Sequence, residues 1–145
     1  MKPRYIGVDL GTKTMGLAIS DRLGLAAHPL ETYRFASGDY KSAKAYLGAL
    51  CAQEDVHEVA IGYPLHMSGL PSERSESVQR FKHEFEEEYQ NIKLSLVDER
   101  LTTVMASKMM IDASLKAEHR HEVIDAASAV LILESFLRRK QHHEI

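Results

Sequence analysis

The sequence has a single cysteine, Cys51, in 145 residues. An internal disulfide is therefore excluded, and without a CxxC partner so is a cysteine-built zinc site. Cys51 falls on the apolar side of a helical pattern and reads as a core residue. No stretch approaches the roughly 18 uninterrupted apolar residues of a membrane span. The basic start, Met1-Lys2-Pro3-Arg4, leads into neither a long apolar region nor a small-residue cleavage site, so no secretory signal is expected and the expected address is the cytosol. Positive charge is not in excess: 18 Lys and Arg against 21 Asp and Glu leave a net charge of −3. That excludes a protein that coats nucleic acid through its bulk field, and leaves phosphate contacts to local patches. One patch is Lys108, Lys116, His119, Arg120 and His121; the other is the run 138–143, whose ordinary reading is a frayed, solvated tail. Repeats, low-complexity segments and linkers are absent, and the length suits one domain, 1–145.

The hydrophobic pattern orders the elements. Apolar runs at 6–8 and 17–20, separated by Gly11-Thr12-Lys13, predict a hairpin, and alternation from His28 to Phe35 predicts a third strand with Pro29 near its start. From Lys41 the period becomes helical through Tyr46, Leu47, Leu50 and Cys51, with Asp39 or Ser42 as cap. Glu58 to Tyr63, stopped by Pro64, predicts a buried strand opening into a loop at 65–71. Ser72 begins a second helix with Val78, Phe81, Phe85 and Tyr89 on one face and the acids 86–88 toward water. A fifth strand is expected over 93–97 and a third helix from Thr102 or Thr103. A polar interruption follows at 114–122, then a last helix over 123–137. Three strands followed by helix, strand, helix, strand and helices is the order of a ribonuclease H-like α/β fold: a five-stranded mixed sheet, antiparallel then parallel, with helices on both faces.

Acids recur where apolar runs end. Asp9 follows Tyr5-Ile6-Gly7-Val8, Asp98 and Glu99 follow Leu94-Ser95-Leu96-Val97, and Asp125 opens an apolar helix. A carboxylate at a core boundary is costly unless a cation compensates it, and the sequence offers no obvious Lys or Arg beside Asp9 or Asp125. A shared divalent cation would satisfy several such groups at once. Carboxylate oxygens without His or Cys favour Mg²⁺ or Mn²⁺. A pair of such ions suits phosphodiester hydrolysis, in which water must be made acidic and a leaving oxygen neutralised. Asp9, Glu99 and Asp125 are thus the candidate catalytic and metal-binding residues, with Asp98 as the alternative to its neighbour. Lys13, Arg100, Lys116 and Arg120 are the candidate nucleic-acid contacts. The expected groove runs between the turn 11–13, the loop 65–71 and the segment 114–121.

Four blocks carry a family resemblance: GVDLGTKTMGLAISD at 7–21, IGYPLHMSG at 61–69, VDERLTTVMA at 97–106 and IDAASAVLILESFL at 124–137. In this order the chain resembles the YqgF/RuvX family of Holliday junction resolvases, now better regarded as nucleases of ribosomal RNA precursors. The resemblance implies the same triad, Asp9, Glu99 and Asp125, and a role in maturing the 5′ end of the 16S rRNA precursor during ribosome biogenesis. Thr14 stands where the family often has Arg, and Glu122 and Val123 stand near a usual basic position, so substrate contact departs more from the family than the acids do. Two other functions compete. A resolvase of four-way DNA needs paired active sites, hence a firm dimer with basic surface, whereas −3 suits a monomer or weak dimer. An ATP-binding protein of the actin and Hsp70 class shares the glycine-rich opening but needs a second domain and a second phosphate loop.

Overall fold

Strands β1 (Ile6–Leu10), β2 (Thr14–Ser20) and β3 (Ala27–Arg34) come first, followed by helix α1 (Tyr40–Glu54), strand β4 (Glu58–Tyr63), helix α2 (Glu73–Glu88) and strand β5 (Lys93–Asp98). A 3₁₀ turn (Glu99–Leu101) and helix α3 (Ala117–His143) complete the elements. The computed structural model describes residues 3–101 and 117–143, with side chains described for 3–100 and 126–142. The helix expected from Thr102 or Thr103 lies outside the described residues.

The five strands are ordered β3-β2-β1-β4-β5. β1 pairs antiparallel with β2, and β2 with β3; β1 pairs parallel with β4, and β4 with β5. This is the mixed sheet expected, with β1 at its centre. The hairpin closes where the Gly11 amide donates to the Thr14 carbonyl at 2.8 Å. Its turn is then tied down from outside, since the Thr12 and Lys13 carbonyls accept from the Gly38 and Phe35 amides, each at 2.9 Å. Pro29, which has no N–H to give, sits on the edge strand opposite Ala18, where the register shifts.

Strand alternation divides the core in two. Ile6, Val8 and Leu10 pack with Leu47 of α1 and Phe81 and Phe85 of α2. On the opposite face Ala18, Ala60 and Val97 pack with Ala129, Ile132, Leu133 and Phe136 of α3. Helices therefore cover both faces. Small residues let α3 lie close: a Cβ on Gly7 would stand 2.6 Å from the Ala129 carbonyl oxygen and 2.7 Å from Leu133 Cβ. Cys51 is buried on the α1 side, and burial pushes its thiol up to about 12.

The helix caps follow the sequence. Asp39 accepts from the Ser42 amide at 3.3 Å, and Ser72 forms a capping box with Ser75. Two expectations need correction. The last helix is longer than 123–137 at both ends, because 117–122 holds neither Gly nor Pro to break it and 138–143 is clamped to the sheet. In that clamp Lys140 pairs with Glu58 at 2.7 Å and lies over the rings of Tyr5 and Phe136, while Arg139 donates to the Leu96 carbonyl at 3.3 Å. The second correction concerns Glu86, which does not simply face water with Glu87 and Glu88. It accepts from the Leu94 amide at 2.9 Å and pairs with Lys82 at 2.7 Å, fastening α2 to the start of β5.

Candidate metal centre and nucleic-acid face

Asp9 belongs to the α3 side of the sheet. With Ile6, Val8 and Leu10 on the other side, alternation places Asp9 on the face of Gly7, and only 3% of it is exposed. In β5, Val97 faces α3, and Glu99, two residues on, is likewise 3% exposed. Between β1 and β5 runs β4, where Gly62 pairs with Val97 and stands one residue beyond the Val8–Ile61 pair. A Cβ on Gly62 would be 3.1 Å from Glu99 Oε1, 3.4 Å from its Cδ and 2.6 Å from Ile132 Cδ1. The carboxylate of Glu99 thus lies in the space that a side chain at 62 would fill, above the strand next to Asp9.

Asp98 has a different task. Its carboxylate receives Arg100 Nη2 at 2.8 Å, Arg100 Nε at 3.1 Å and the Arg100 amide at 2.9 Å. That guanidinium holds the Asp98 carboxyl below the usual carboxylate range, despite the opposing effect of burial. Of the two adjacent acids, Glu99 is therefore the one turned into the core face beside Gly62.

Asp125 is described as a backbone position only. α3 runs antiparallel to β1, with Phe136 edge-on to Tyr5 at 5.3 Å and Ala129 and Leu133 against Gly7. Four residues before Ala129 is about 6 Å along the helix; from Gly7 to Asp9 is about 6.6 Å along the strand. Position 125 is consequently level with Asp9 on the same side of the sheet. Among the described residues no group of three His, Cys, Asp or Glu gathers as metal ligands. The donors that are described, two buried carboxylates beside a recess free of Cβ, fit a hard divalent cation by their chemistry.

Arg74 overturns the expectation that no cation stands beside Asp9. From the first turn of α2 it reaches past the end of the β1–β4 ladder, donating from Nη2 to the Leu10 carbonyl at 3.0 Å and standing 3.7 Å from Asp9 Oδ1. The other predicted cations are scattered. Lys13 is exposed on the hairpin turn. Arg100 is bound to Asp98 and lies beside the 65–71 loop, 3.1 Å from where a Gly69 Cβ would be. Lys116 lies outside the described residues, and Arg120 is described by its backbone alone. The basic run at the end of α3 is committed in part to its clamp through Lys140 and Arg139.

A family model described as the Holliday junction resolvase RuvX matches residues 3–139. The chain belongs to the RuvX family. A relative from Oceanobacillus iheyensis is 37% identical over 137 residues, covering 94% of this chain and 99% of that one. A second, from Bacillus subtilis, is 40% identical over 136 residues, covering 92% and 96%. Both carry the name "Putative pre-16S rRNA nuclease". Among solved structures, Thermus thermophilus RuvC in complex with Holliday junction substrate superposes with TM-score 0.58 at 13% identity over 96% of both chains. The yeast mitochondrial Holliday junction resolvase Ydc2 gives 0.53 at 16% identity, covering 94% of this chain and 78% of that one. At such identities the likeness is one of fold, and the RuvX chain has the ribonuclease H-like fold expected of it. Among its described residues no helix is long and apolar enough to cross a membrane.

Proposed function

We propose that this chain is a divalent-metal-dependent nuclease that hydrolyses phosphodiester bonds in structured precursor rRNA, maturing the 5′ end of 16S rRNA in the cytoplasm. The observation that carries the reading is the placement of Asp9 and Glu99: two buried carboxylates on one face, with Gly62 leaving room between their strands. The names of the relatives support the substrate class.

Asp9, Glu99 and Asp125 would hold the ions, Mg²⁺ or Mn²⁺ and two of them when substrate is bound. When present, such ions acidify a water and neutralise the charge growing on the leaving oxygen. The protein's own part is positioning. Asp9 is fixed by the central strand, Glu99 by the 3₁₀ turn that follows β5, and residue 125 by the packing of α3. Ile132, whose Cδ1 lies 2.6 Å from where a Gly62 Cβ would stand, gives the recess an apolar side. Substrate would enter between the 11–13 turn and the 65–71 loop; of the third expected wall, 114–121, residues 114–116 lie outside the described residues.

Cleavage of a 5′-extended 16S rRNA fragment, single-stranded RNA and a four-way DNA junction should be compared with Mg²⁺, Mn²⁺ or chelator present. Metal-dependent cleavage of the rRNA fragment, lost in Asp9→Asn and Glu99→Gln, is the expected result. Cleavage that survives chelation or either substitution would overturn the site; preference for the junction would make the chain a resolvase.

A further inference from the structure

Several of the described cations are spent on structure. Arg4 pairs with Glu54, Lys44 with Glu84, Lys82 with Glu86, Arg100 with Asp98 and Lys140 with Glu58. Arg74 differs. Its side chain is 48% exposed, and Nη2 alone makes both of its contacts, to the Leu10 carbonyl and toward Asp9. Among the described residues its Nε and Nη1 have no hydrogen-bond partner, leaving most of a five-donor fork open. Beside it a cleft of about 110 Å³ opens between the hairpin turn and the start of α2, walled by Gly11, Thr12, Tyr40, Glu73 and Ser77. That volume is well below the roughly 300 Å³ of a pocket enclosing a whole small ligand, so the cleft suits a single group.

We propose that Arg74 and this cleft form a phosphate subsite, which takes a backbone phosphate of the nucleic acid adjacent to the one cleaved. The inference rests on the nuclease reading above and adds a residue to it. A guanidinium grips phosphate oxygens through parallel N–H donors, and Thr12 and Ser77 line the same cleft, the Ser77 hydroxyl donating to the Glu73 carbonyl at 3.1 Å. Position explains the choice of residue: one Arg touches the carboxylate strand and the open cleft together, so a phosphate held there is in register with Asp9. Glu73 is an opposing charge on the wall, so the subsite works through direct contact with Arg74 and not through a general positive field.

Arg74 also competes as a cation for Asp9. Removing it should weaken nucleic-acid binding and tighten divalent-ion binding, two effects of opposite sign that a merely structural arginine does not produce. The test uses full-length protein, a fluorescent 5′-extended 16S rRNA fragment in Ca²⁺ buffer, anisotropy across NaCl concentrations, and a separate Mn²⁺ titration without RNA. Expected for Arg74→Gln is a loss of RNA affinity of about tenfold, with a salt slope smaller by about 0.7 and tighter Mn²⁺ binding. Arg74→Lys should keep the slope and recover part of the affinity, and Glu73→Gln should bind RNA more tightly than wild type. RNA affinity and slope unchanged in Arg74→Gln would overturn the subsite while leaving the nuclease reading intact. So would parallel loss of RNA and Mn²⁺ binding, which marks a structural arginine. Wild-type protein that binds no RNA at any salt would overturn both.

Discussion

Glu99 occupies the side-chain space of Gly62: its Oε1 lies 3.1 Å from where a Cβ on that glycine would stand. Gly62→Ala therefore tests the recess with one methyl group. The new Cβ also meets Ile132 Cδ1 at 2.6 Å, the far end of a side chain that can move. A folded protein destabilised by about 1–3 kcal/mol is expected, with weakened Mn²⁺ binding. Adding Ile132→Val should restore melting temperature but not metal affinity. Recovery of both would show that the glycine serves helix packing alone.

Asp9→Asn should abolish cleavage and change stability little. Asp9 is buried, which favours removing its charge, but Arg74 stands 3.7 Å away and half exposed, which favours keeping it. These two effects oppose each other, so thermal unfolding without metal should shift by a few degrees at most. A collapse of the melting temperature would mark Asp9 as a structural acid.

Asp98 gives the fold a pH-dependent contribution. Arg100 lowers its carboxyl pKa in the folded state, so the unfolded chain binds that proton more readily. Its stabilisation is fully present above the ordinary carboxylate value of about 3.9, and is lost as pH falls through the lower folded value. Chemical denaturation of wild type and Asp98→Asn should show a gap at pH 7 that closes in acid. A gap independent of pH would mean that the carboxylate's charge contributes nothing.

Ser72 has two tasks. It caps α2, and its hydroxyl donates to the Pro64 carbonyl at 2.7 Å, spanning the 65–71 loop. Ser72→Ala should cost about 1 kcal/mol and speed amide exchange across that loop. Unchanged exchange would show the loop to be held by its other contacts, such as that of the His66 amide with the Leu70 carbonyl.

Local chemistry made much of this legible. The run Glu58 to Tyr63 before Pro64 is a strand with the bounds expected, and the serine that starts α2 is its cap. Alternation about Val8 is enough to put Asp9 on one side of a sheet. Contacts set by strand order were not legible. Arg74 meets the Leu10 carbonyl across 64 positions, because β4 inserts beside β1 and brings the start of α2 to the end of the central strand. Gly62 gave no hint of its task, since the residue that needs its bareness lies a strand away. Glu86 looked like one of three solvated acids, and only the return of β5 beneath it supplies the amide it accepts.

The clamp at the end of α3 makes that helix a ruler. Its zero is set by Lys140 on Glu58 and Tyr5 and by Phe136 on Tyr5, and its reading is taken at residue 125. One residue inserted between 125 and 129 would leave every anchoring contact in place yet swing position 125 by about 100° around the axis. Four would return it to nearly the same bearing but carry it about 6 Å too far. What the helix conserves is phase, not composition: exchanges at its outward positions leave the bearing of residue 125 untouched, whereas a single added alanine does not.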